Sequence, residues 1–66
     1  MEKIFSINGP VVTVHSAKCF QMMEMVYVGE TKLIGEVIMI SDEQTTIQVY
    51  EDTSGLKVGE PVIGTG

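Results

Sequence analysis

Sixty-six residues make at most one domain, and a chain this short buries only about 60% of the surface its unfolded form exposes, so its core supplies about 3–5 kcal/mol. Nine acidic residues against four lysines and no arginine give a net charge of −5. That balance argues against a nucleic-acid ligand, because phosphate neutralisation needs a basic stripe and Lys3, Lys18, Lys32 and Lys57 stand singly. It also argues against adhesion to an anionic membrane, and the longest apolar run, the four residues Val37 to Ile40, is far short of the about 20 that insert into a bilayer. A lone Cys19, five methionines and an N-terminus without a signal pattern fit a reducing, cytoplasmic setting. With no disulfide and no cluster at metal-ligand spacing, part of the stability is expected from a partner.

Turn clusters at Asn8-Gly9-Pro10, Gly29-Glu30, Ser41-Asp42-Glu43, Thr53-Ser54-Gly55 and Gly59-Glu60-Pro61 separate runs rich in Val, Ile, Thr and Tyr. They predict six strands, at 2–7, 11–15, 23–28, 32–41, 45–51 and 61–65. After the second strand, His15 and Cys19 stand four apart, but in a connection with no third ligand or orienting carboxylate, so a loop histidine and a half-buried thiol are expected. Met22, Met23 and Met25, with Met39 near them in space, are expected to fill an irregular core; an adaptable binding patch is the other reading.

KLIGEVIMI is apolar on both faces, with Ile34, Ile38 and Ile40 sharing a side with Glu36, and Leu33, Val37 and Met39 on the other. Gly35 within it is expected to mark a bulge or a barrel corner. TTIQVYE alternates cleanly, Ile47 and Val49 inward and Thr46, Gln48 and Tyr50 outward. Glu51-Asp52 are adjacent carboxylates on a strand end, which point apart rather than converge as an acid and base must; Asp52 is placed to start the turn into Thr53-Ser54-Gly55. Ser54 to Val58 predicts at most one 3₁₀ turn.

Neither phosphate-loop pattern occurs, and Gly64-Thr65-Gly66 has no helix after it to bind phosphate. Short strands that close on themselves remove the edges a tiny sheet cannot protect, so the fold class expected is all-β, a small closed six-stranded barrel over residues 1–66. No catalytic, cofactor-binding or metal residue is assigned. The residues alone point to a binding or scaffold module, and the final glycine turn leads us to expect a piece of a longer chain.

NGPVV at Asn8–Val12, VGETKLIGEVI at Val28–Ile38 and IQVYEDTSGLKVGEPV at Ile47–Val62, followed by Thr65-Gly66, together resemble the N-terminal domain of the catalytic A subunit of V-type and archaeal-type rotary ATPases. The resemblance covers nearly the whole chain, and its sixteen-residue C-terminal stretch is the specific part. It implies a six-stranded barrel that opens a longer polypeptide and joins B and other A subunits in the crown of an alternating hexamer. Such a complex is cytoplasmic and peripheral to the membrane. ATP and Mg, the phosphate loop and ion-driven turnover would belong to the rest of the parent chain, and no cofactor to this segment.

Three departures stand out, because the family usually carries arginine where this chain has Tyr27, Met39 and Gly64. The alternative function is a free-standing barrel that binds a peptide strand along an open edge. Self-association of the isolated barrel is also expected.

Overall fold

The alternation in TTIQVYE is realised residue by residue: Thr45, Ile47 and Val49 are buried, while Thr46 and Gln48 are half-buried and Tyr50 is exposed. The computed structural model describes residues 2–16 and 20–65. In it six strands form: β1 (Glu2–Asn8), β2 (Val11–Val14), β3 (Met25–Val28), β4 (Leu33–Ser41), β5 (Gln44–Val49) and β6 (Pro61–Gly64). They pair antiparallel in the order β1-β2-β5-β4-β3-β6 and close into a barrel, as the turn spacing predicts.

Among the described residues seven of the eleven buried apolar side chains are valines, short and stiff enough to pack a narrow lumen. Ile4 and Ile47 complete the strand contribution, and Phe20 and Leu56 enter from connections. The expectation that methionine fills this core fails: Met22, Met23, Met25 and Met39 are all exposed. β-branched residues already occupy the interior, and the connection before β3 holds its methionines outside. There Met23 takes φ 66, Met23 N–H donates to Val37 O at 2.9 Å and Glu24 N–H to Gln21 O at 3.1 Å. For the same reason β3 starts at Met25, two residues later than predicted.

Gly35 marks no bulge. The irregularity in the β4–β5 ladder falls between Val37 and Met39, and the extra residue exchanges the two faces beyond it. Ile40 therefore packs against the core while Met39 turns out, the reverse of simple alternation. Gly35 serves close approach instead, since a Cβ there would lie 2.8 Å from Ile47 Cγ2 and 3.0 Å from the Gln48 carbonyl oxygen.

Residues 54–58 form no 3₁₀ helix. They contribute to two successive reverse turns, closed by Leu56 N–H to Thr53 O at 2.9 Å and Glu60 N–H to Lys57 O at 3.2 Å. Pro61 opens β6, where its missing N–H costs no ladder bond, and its carbonyl accepts from Gly29 N–H at 2.8 Å.

Candidate functional site

The carboxylates near the C-terminal turns tie backbone together rather than face one another. Glu51 Oε2 accepts from Ile34 N–H at 2.8 Å, whereas Asp52 Oδ1 accepts from Ser54 N–H at 2.9 Å, the local turn predicted for it. Glu60 spans two loops, with Oε1 accepting from Glu30 N–H at 3.0 Å and Oε2 from Lys57 N–H at 3.1 Å. Sequence reading missed this link, because the partners lie thirty residues apart in one case; GE in both VGE and KVGE was its only trace.

Of the other residues singled out, His15 stacks on Phe5 with ring centroids 3.4 Å apart. Cys19, its proposed neighbour, lies outside the described residues. Among the described residues no three His, Cys, Asp or Glu side chains converge as metal ligands. Of the glycines in the turn clusters, Gly9, Gly29 and Gly59 have positive φ, +62, +82 and +96, whereas Gly55 does not. Thr45 is buried and polar on the inward side of β5 with Ile47 and Val49, and its hydroxyl donates to the Ser16 carbonyl.

The remaining feature is the outer wall. Tyr27 pairs with Ile34 on one side and Ile63 on the other, and Tyr50 continues the row through its N–H to Ile34 O at 2.9 Å. The Tyr50 hydroxyl donates to Glu36 Oε1 at 2.6 Å. That bond, more than the small desolvation or the Glu36 charge, raises the Tyr50 pKa, while the Ser54 N–H and then its side chain lower that of Asp52.

The signs are opposite. The Asp52 contribution is present above the unfolded carboxyl pKa and lost as pH falls through the depressed folded value. The Tyr50 contribution is present below the ordinary phenol pKa and lost as pH rises through the elevated one. An NMR titration is expected to place Asp52 below the ordinary carboxylate range. Glu36→Gln is expected to bring Tyr50 back toward a free phenol; an unmoved Tyr50 would show that Glu36 is not the cause.

A barrel whose polar side chains fasten its own turns, and whose wall carries a row of large exposed side chains, defines a small antiparallel β-barrel domain. The chain belongs to the ATP synthase alpha/beta family, whose beta-barrel domain matches residues 4–66. It is 59% identical over its whole length to the A subunit of the A-type ATP synthase of Nanoarchaeum equitans, of which it spans 11%. It is 54% identical over 96% of its length to the V-type ATP synthase alpha chain 2 of Clostridium tetani, again 11% of that protein. Against the catalytic A subunit of the V-type proton ATPase of Neurospora crassa the identity is 52% over 97% of this chain and 10% of the relative. The assembled ATPase EscN of the enteropathogenic E. coli type III secretion system shares the fold, with TM-score 0.87 and 21% identity over all of this chain and 16% of that one. The kinship with the N-terminal barrel of the A subunit that IQVYEDTSGLKVGEPV suggests is thus borne out.

Proposed function

We propose that this barrel is an assembly element of a V/A-type ATPase catalytic subunit, joining B and other A subunits in the crown of the alternating hexamer. ATP and Mg, and the coupling of turnover to proton or sodium movement, belong on this reading to parts of the parent chain outside these 66 residues. The complex would sit in the cytoplasm, peripheral to the membrane. The observation that carries the proposal is the similarity, along nearly all of this chain, to A subunits of which it spans only 10–11%. Against the peptide-binding alternative stands the closed ladder, in which every strand has a neighbour on both sides.

The test is co-expression of the full-length parent chain with its B subunit, with and without the barrel, followed by native mass spectrometry. Deletion is expected to abolish the hexamer while the remainder still binds nucleotide. A hexamer of undiminished stability without the barrel would overturn the reading.

A further inference from the structure

Among the described residues the barrel core holds no sulfur; it is built from valines with Ile4, Ile47, Phe20 and Leu56. Thioethers stand outside it instead, with Met23 74%, Met39 58%, Met22 55% and Met25 51% exposed. They lie along one stretch of β4. Met25 pairs with Glu36, and the turn that carries Met22 and Met23 runs beside Val37, two positions before Met39: Met23 N–H donates to Val37 O and Val37 N–H to Glu24 O, each at 2.9 Å.

The backbone fixes the most exposed of them. Glu24 N–H donates to Gln21 O at 3.1 Å across a turn in which Met23 takes φ 66, a third position that needs a left-handed residue and ordinarily takes glycine. Met23 adopts that conformation and adds a side chain that the core does not take up.

An exposed thioether is open to oxidation by a hydroperoxide. The sulfur lone pair takes the distal peroxide oxygen, so that an S–O bond forms and the O–O bond breaks. A proton moves to the departing oxygen, which leaves as water or an alcohol; sulfur loses two electrons and the peroxide gains them. The sulfoxide is polar, so inside a core it would disrupt packing, whereas outside the barrel it stays in water and replaces no core contact. A dithiol reverses the step, releasing the oxygen as water and ending as a disulfide.

We propose that Met22, Met23, Met25 and Met39 form a reversible sulfoxidation site for hydroperoxides, with Met23 reacting first and the barrel staying folded while all four are oxidised. The proposal goes beyond the assembly reading above and does not depend on it.

The test treats the 66-residue chain with hydrogen peroxide and follows each methionine by peptide mapping in a mass spectrometer, which reads Met1 separately. Because burial is what slows this chemistry, each of the four is expected to oxidise in the native chain within about twofold of its rate in concentrated urea, with Met23 fastest. Met23→Leu is expected to delete the fastest phase and leave the other rates unchanged. The dispersed amide signals of Val12 and Ile47 are expected to persist after all four have reacted. Treatment with methionine sulfoxide reductases for both sulfoxide epimers and a dithiol is expected to restore the starting mass. Native protection of about tenfold or more at any of the four, a fast phase that survives Met23→Leu, loss of the barrel on oxidation, or sulfoxides that the reductases leave in place would each overturn the proposal. Hexamer formation with the B subunit is untouched by those outcomes.

Discussion

Ile47→Ala is expected to leave the chain largely unfolded at room temperature. Ile47 is fully buried, pairs with Val12 on β2 and Val37 on β4, and its Cγ2 fills the space where Gly35 lacks a side chain. Truncating such a residue costs about 2–5 kcal/mol in transfer and cavity terms. A core of this size supplies about 3–5 kcal/mol, so one substitution removes most or all of the margin. Ile47→Val, costing about 0.5–1.5 kcal/mol, is expected to leave a folded but weakened barrel. Urea unfolding followed by circular dichroism separates the two; an Ile47→Ala chain as stable as Ile47→Val would mean that the barrel closes over the gap.

Gly29→Ala is expected to be the most damaging glycine substitution, at about 2–4 kcal/mol when a left-handed non-glycine residue and an overpacked contact are combined. Gly29 has φ +82, and a Cβ there would lie 2.3 Å from Leu56 Cδ2 and 2.7 Å from Glu60 Oε1. Leu56 belongs to the core and Glu60 is held by two backbone N–H groups, so neither side chain is free to retreat. Gly59, with φ +96 but no atom within 4 Å of where a Cβ would stand, isolates the backbone part, about 1–2 kcal/mol. Equal unfolding midpoints for Gly29→Ala and Gly59→Ala would show that the Leu56–Glu60 contact yields and only the dihedral matters. A clear gap between them measures the steric part directly.

These two sites differ in how visible they are in the chain. Ile47 sits in a strict alternation, and alternation depends only on the strand's period of two, so its burial is legible without a fold. Gly29 is legible as a turn residue but not as the floor beneath Leu56, because that contact joins segments far apart in sequence. The same division runs through β4. Its existence follows from a nine-residue segment rich in strand formers, yet the bulge after Val37, which sends Met39 out and brings Ile40 against the core, depends on how β4 must bend to follow β5 around the barrel. The exposed methionines have the same origin, since hydrophobicity says that they can be buried and only the competition for a narrow lumen says that they are not.

What the amino-acid sequence determined by itself was the number and order of strands, their closure into one small barrel, the absence of a basic face, the turn at Asp52 and the kinship carried by the stretch from Ile47 to Val62. Each of these rests on local periodicity, composition or a contiguous motif. Tertiary structure alone decided that Glu60 joins two distant loops, that Gly29 lies under Leu56, and that Tyr50, Ile34, Tyr27 and Ile63 line up across neighbouring strands. Those facts depend on register, and register is set by pairings between residues that the chain keeps apart until the barrel closes.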